Sequence, residues 1–446
     1  MRRPRRSRSA PTPSTLAMVA LVLTMTSAPP AGAAPAVQPA NRPTPVPAVE
    51  NGYVPDARLI TVAPGCRVAR EAGPSVALLF RSAKAAGVHL GGRDCYRPLS
   101  GQLAVASSWT ARGNRACAAT PQRSPDGRPV GTSMHGWGKA VDFSGRGPVT
   151  FDSPAYRFLK AHAGRLGWNH PGWAEPGGSA CPEPWHWEWL GDGGTAGGDA
   201  VVADVVGLLP AADERGYSTV TGLGGVAPRG SARSAGSLDA LPLNWVIVGA
   251  AATADRSGYW LLGGDGGIFN FGGAAFHGST GNLALNSPVV AMAPTPDGRG
   301  YWLVAGDGGV FSFGSARFQG SMGGRRLSSP VVGMAAAPDG QGYWLVAADG
   351  GIFNFGSARF LGSAGALRLS SPVVGMAEAP DGQGYWLVAA DGGIFNFGRA
   401  AFHGSAADRV LLTPVVAMAR TAKGDGYWIV TADGTVVARG AARAVL

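Results

Sequence analysis

The tripeptide GYW returns with its tyrosine at residues 259, 301, 343, 385 and 427, a constant period of 42, and RGYSTV puts Tyr217 in the same phase. Six copies at one spacing constrain the chain more than any other feature, because a unit unable to bury its apolar face alone must stack on its neighbours. One unit reads VVGMAAAPDGQGYWLVAADGGIFNFGSARFLGS, with four short apolar runs separated by PDG, DGG and GS turns. Runs of this length between such turns read as strands, and a count of 70 Gly and 34 Pro favours turn-rich β structure. Four strands per unit suit a β-propeller blade, and six units over 204–446 would close a six-bladed ring. An open β-solenoid has the same kind of period and is the alternative.

The first half has a different character. MRRPRRSRS followed by an apolar run from Leu16 to Met25 and by Ala31-Gly32-Ala33 reads as a signal peptide over residues 1–33. The apolar run is shorter than the roughly 18 residues that cross a bilayer, which argues against a permanent anchor. Cleavage would remove five arginines and no acids, taking the formal charge from +10 to +5 over the remaining chain. A nucleic-acid partner therefore has little electrostatic support.

Residues 34–55 are rich in Pro and Ala and read as a linker, and 193–203 read as a Gly-rich one. Between them, 56–192 carry helical spacing after Pro74, strand character in VHL at 88–90, a helix over 100–109 and another over 153–166 with Ser153 as its N-cap. This predicts an α+β domain ahead of the all-β repeats. All four cysteines, Cys66, Cys95, Cys117 and Cys181, fall in it. In an exported chain that suggests two disulfides, with three pairings open, and no C-x-x-C spacing favours a cysteine metal site instead.

The stretch GTSMHGWGKAVDF places His135 and Asp142 seven residues apart with Gly136 and Gly138 between them. The glycines allow a tight bend, so a hairpin can direct both side chains at one ion. EPWHWEW at 183–189 supplies His186 as third ligand, with Glu183 placed to take the proton of an attacking water. Glu188 lies on the same strand face as His186 and is the alternative base or a supporting group.

Ser133, His135, Gly138, Ala140 and Asp142 fit S-x-H-x-x-G-x-A-x-D, and Glu183 to His186 fit E-x-x-H. With these, residues 56–192 resemble the zinc D-alanyl-D-alanine carboxypeptidases of the VanY type. The resemblance implies a small α+β domain with one Zn2+ in a cleft on an antiparallel sheet, acting on peptidoglycan stem peptides. CYRPLSGQ at 95–102 is similar to the family's Y-R-S-x-x-x-Q stretch, with Pro98 in place of Ser. By that likeness Arg97 holds substrate or the developing oxyanion, Gln102 supports it, and Ser133 contacts substrate or a ligand. The repeats resemble GYWLVA-DGGIFNFG arrays of secreted bacterial proteins.

Other residues have plainer readings. His89, His162 and His170 lack partners at ligand spacing, His277 and His403 recur where Gln319 and Leu361 stand in sister repeats, and Trp185, Trp187 and Trp189 are expected to pack beneath the sheet. The expected protein is a secreted, wall-associated, monomeric zinc carboxypeptidase, its repeats binding a wall glycan or a protein. The alternatives are an endopeptidase cutting another stem or cross-link bond, and a wall-binding scaffold with an inactive zinc domain.

Overall fold

The computed structural model describes residues 49–190 and 205–445, apart from 115, 116, 118, 120, 121, 180, 239, 240 and 242. The expected signal peptide, most of the first linker and the Gly-rich linker lie outside the described residues. No described helix is long and apolar enough to cross a membrane.

The first half opens with a hairpin of β1 (Leu59–Ala63) and β2 (Cys66–Ala69). Helix α1 (Gly73–Ala85) follows with Pro74 in its first turn and Gly87 just past its end at φ +69°, so the helix stops where its residue types predict. Then come β3 (Gly91–Asp94), α2 (Leu99–Ala111), the short pair β4 (Gln122–Arg123) and β5 (Pro129–Val130), β6 (Ala140–Ser144), α3 (Pro154–His162), β7 (Trp168–Asn169) and β8 (His186–Trp189). The expected strand at 88–90 is displaced to 91–94. The Val88 N–H is used in closing α1, donating to the Ala83 carbonyl at 2.8 Å. Ser153 caps α3 by accepting from the Tyr156 N–H.

Strands β3, β6, β8 and β7 form one antiparallel sheet in that order. Period-two alternation sends Val141 and Phe143 of β6, and Trp187 and Trp189 of β8, into a core with Val76 and Leu79 of α1 and Phe158 and Leu159 of α3. The opposite face is left for Asp142, His186 and Glu188, as the sequence alternation predicts.

Among the described residues the second half contains six three-stranded antiparallel sheets, one per repeat. Every middle strand, such as Gly300–Ala305, reads GYWLVA or a variant, and from the second repeat to the sixth it is buried along its whole length. Apolar residues on both of its faces require cover on both. Tyr301 and Leu303 pack against Trp260 and Leu262 of the preceding repeat, while Trp302 and Val304 pack against Tyr343 and Leu345 of the next. The same kind of core joins Trp428 and Val430 of the sixth sheet to Tyr217 and Leu208 of the first.

The expected fourth strand is not formed among the described residues. In the segment after GSARF the Leu361 N–H and the Gly362 carbonyl both bond the hydroxyl of Tyr385, at 3.2 and 2.5 Å, so its polar groups are satisfied by a side chain of the next repeat. The two halves are also less separate than the linker reading implies. The Thr61 N–H donates to Asn244, and the Val246 N–H donates to Thr61, each at 3.1 Å. One continuous core holds Ile60 and Val62 together with Val246 and Ile247. Asn51 and Val54, assigned by composition to the linker, are buried in the first half.

Candidate metal centre

Two of the three metal-ligand candidates are set by strand register, since Asp142 of β6 lies directly across from His186 of β8. His135 comes from a 3-10 turn, Met134–Trp137. Its N–H is received by the Ser133 hydroxyl at 3.3 Å, and Gly138 ends the turn at φ +67°. A Cβ at Gly138 would lie 2.6 Å from the Ala69 nitrogen, so both the conformation and the space select glycine. The turn brings His135 over the face of the sheet that carries Asp142.

His135 Nε2, Asp142 Oδ1 and His186 Nδ1 are separated by 3.1, 3.2 and 2.9 Å. Three ligands at bond lengths of about 2.1 Å around a tetrahedral ion would be spaced by roughly 3.4 Å, so the triangle is close to the size of a zinc site. The protonation pattern agrees. His135 Nδ1 is 2.7 Å from the Cys95 carbonyl, which can only accept, so Nδ1 carries the proton and Nε2 offers a lone pair. His186 Nε2 faces Glu188 Oε1 at 3.3 Å, which leaves Nδ1 of the neutral ring as its lone pair. With both rings neutral, as metal ligands are, two lone pairs and a carboxylate oxygen converge on one point, an arrangement that suits a cation in place of the proton shared by His186 and Asp142. These three residues form a group able to hold a metal ion.

The electrostatics point the same way. Burial would raise the Asp142 carboxyl, but the imidazoles of His135 and His186 outweigh it and hold it well below the usual carboxylate range. Burial lowers His186, yet Asp142 and Glu188 push it up to about 10, so the pocket has a negative field that suits positive charge.

Glu183 approaches from the open side, its Oε2 4.0 Å from His186 Nδ1, and burial raises its pKa. Its backbone is clamped at both ends, the N–H donating to Ala174 at 2.9 Å and the carbonyl accepting from His170 Nε2 at 3.0 Å. His170 Nδ1 lies 3.0 Å from Glu175, so a residue with a structural reading in the sequence fixes the loop that presents Glu183. Glu188 sits behind His186, away from Asp142.

Arg97 reaches to 3.6 Å from Asp142 Oδ2 and is held by Asp94, which receives its Nε at 3.0 Å and its Nη2 as well. Gln102 is buried and does not open onto the site. It donates to the Arg97 carbonyl and to Asn51 Oδ1, and accepts from the Ser133 N–H. Asn51 completes this frame by donating to the Ser133 carbonyl at 2.8 Å. Asn51 had no sequence signal, since its partner is 82 positions away. Trp173, 38 % exposed, sets its ring 5.0 Å from that of His186 and forms a wall of the site that the sequence did not single out.

The remaining candidates are placed outside the site. Trp187 and Trp189 are buried in the core, and His162 stacks on Phe158. His403 Nε2 bonds the Gly424 carbonyl. The cysteines pair as Cys66–Cys95 and Cys117–Cys181. The first bridge anchors the residue whose carbonyl orients His135.

Residues 66–192 match the family model of the D-alanyl-D-alanine carboxypeptidases, VanY. That family is zinc-dependent and acts on peptidoglycan peptides. The match spans the whole candidate centre and stops before the repeats. No curated protein matches the chain.

Proposed function

We propose that this chain is an exported zinc carboxypeptidase that removes the terminal D-alanine of peptidoglycan stem peptides. The observation that carries the reading is the convergence of His135 Nε2, Asp142 Oδ1 and His186 Nδ1, with the Glu183 carboxylate beside them, inside the matched region. A zinc ion held by these three donors would polarise the scissile carbonyl and acidify the attacking water. Glu183 takes the proton of that water as the C–O bond forms and delivers it to the leaving nitrogen of D-alanine as the C–N bond breaks. Its raised pKa suits both halves of that transfer. Arg97, steadied by Asp94, supplies a fixed guanidinium for the developing oxyanion or for the terminal carboxylate of the substrate. Ser133 and Gln102 act through the frame that holds His135 and Arg97, and Ser133 also touches substrate. Trp173 gives the peptide an apolar wall.

Export is supported by the basic and apolar N-terminal segment and by two disulfides in one domain. We read the repeats as a closed six-bladed propeller, supported by the Trp428–Tyr217 core between the last and first sheets. Its role is attachment to a wall glycan or a protein partner. Phe276, Phe318, Phe360 and Phe402 stand exposed at one position of four successive repeats, a surface of the kind such a partner engages.

The test is Glu183→Gln. It retains one equivalent of zinc and loses hydrolysis by about 10^2–10^4-fold. Undiminished turnover by that variant would remove Glu183 from the mechanism.

A further inference from the structure

The two disulfides sit in different surroundings. Cys66 and Cys95 are sealed in the core, 0 % and 2 % exposed, whereas Cys181 is 9 % exposed and Cys117 is only half-buried. The second bridge spans 64 positions and joins two surface excursions that flank the metal centre. One runs from the end of α2 through β4 and β5 to Gly131 and Ser133, just ahead of His135, with residues 112–113, 122–123 and 125–129 exposed. The other runs from Gly172 to Glu183 and carries Trp173, the wall of the site, and Glu183, the proposed base.

The bonds within the second excursion fix its own shape. The Glu183 N–H donates to Ala174, the Gly178 N–H to Glu175, and the Cys181 N–H to the Ser179 hydroxyl at 3.0 Å. Its early part is tied to α3, where Tyr156 and Lys160 donate to Glu175 at 3.0 and 2.7 Å, and at its end His170 holds the Glu183 carbonyl. Between these ties residues 176–179 and Pro182 are exposed, so the stretch has few apolar contacts to resist local opening. Cys181 is buried and bridged to Cys117, a covalent anchor two residues before the base. The metal ligands are held by other means: Asp142 and His186 by strand pairing, and His135 by a turn oriented through Cys95 of the other bridge.

We propose that the Cys117–Cys181 bridge is a reducible clamp on the catalytic base. Oxidised, it holds the 172–183 loop so that Glu183 and Trp173 face the metal centre; reduced, it releases them while His135, Asp142 and His186 stay in place. The proposal rests on the carboxypeptidase reading of this site. In the step itself a thiol attacks one sulfur of the bridge, giving a mixed disulfide and one free cysteine. A second thiol then displaces the other cysteine, so two thiols become one disulfide and their two electrons and two protons end on Cys117 and Cys181. Access of the reductant favours this bridge over the buried one.

The test compares the full-length, zinc-loaded protein before and after treatment with a water-soluble phosphine, without denaturant, followed by removal of the phosphine under argon. Alkylation should label Cys117 and Cys181 and spare Cys66 and Cys95. Hydrogen exchange should quicken across 172–183 and stay unchanged in β6, with zinc still at one equivalent. The kcat for D-alanine release should fall by about tenfold or more, by a larger factor than KM rises, and recover on reoxidation. Cys117→Ser should match the reduced form and ignore both treatments; should it fail to fold, the treated parent decides alone. Resistance of the bridge to the phosphine, unchanged exchange across 172–183 after verified reduction, undiminished kcat, or loss of zinc on reduction would overturn the proposal. If neither form releases D-alanine, the reading of the reaction fails, and the exchange difference still decides whether the bridge clamps the loop.

Discussion

The hydroxyl of Tyr217 donates to the carbonyl of Val445 at 3.3 Å, joining two residues 228 positions apart. In the later repeats the same tyrosine reaches only 23 residues back, as Tyr301 does to Gly278 at 2.6 Å. Each repeat is therefore tied to the one before it by a tyrosine hydroxyl, and the first is tied in this way to the last.

If the repeats form a closed ring, the end of the chain is structural. Deleting residues 442–446 removes the Tyr217 acceptor and the Arg443 carbonyl that receives Trp428 Nε1. Tyr217→Phe alone should cost about 1 kcal/mol, the net worth of one hydrogen bond, whereas the deletion should lower Tm several-fold more. Calorimetric melts decide this. An open array would let the deletion fray only the last repeat, with little change in Tm.

The donor set makes a graded prediction for zinc. His135→Ala and Asp142→Ala should lose the metal, while Glu188→Leu, which keeps approximate size and removes the acceptor of His186 Nε2, should weaken affinity by about 10–100-fold. Metal analysis after dialysis against graded chelator reads both. Equal zinc affinity in Glu188→Leu and the parent would mean that Glu188 does not orient His186.

His170 should affect turnover without affecting metal content. Its Nε2 holds the Glu183 carbonyl, so His170→Ala frees the loop that presents the base. A displacement of the order of 1 Å is enough for a fall in kcat of about 10^2-fold. The informative measurement is kcat and KM beside zinc content. A variant with normal kcat, or one that has lost its zinc, would contradict a positioning role.

The pH dependence of stability should contain a term from Glu175. Burial would raise its carboxyl, but hydrogen bonds from Lys160, His170 and Tyr156 prevail and hold it at about 2, against an ordinary value of 4.5. A folded pKa below the unfolded one stabilises the fold above about pH 4.5, and that contribution is lost as pH falls toward 2. Glu175→Gln should therefore lower Tm at pH 6 and approach the parent near pH 2. A Tm difference that stays constant over this range would mean the carboxylate charge is not involved.

What could be read from the sequence was whatever repeats or sits at fixed local spacing. Period 42 located the six sheets, and two short signatures located His135, Asp142, Glu183 and His186, because strand alternation alone puts Asp142 and His186 on one face. The fourth strand of each repeat was misread because an apolar run does not reveal that its backbone bonds go to the tyrosine of the next repeat. Asn51, His170 and Trp173 act through contacts that no local pattern encodes. The joining of Thr61 to Asn244 and Val246 was equally hidden, since β1 pairs with a segment more than 180 positions away.

The most direct test of the proposed activity is release of free D-alanine from a stem pentapeptide ending in D-Ala-D-Ala by the purified mature protein. Release of one D-alanine per peptide, abolished by a chelator and restored by zinc, is the predicted result. No release by protein that holds one equivalent of zinc would contradict the carboxypeptidase assignment and turn attention to another bond of the stem.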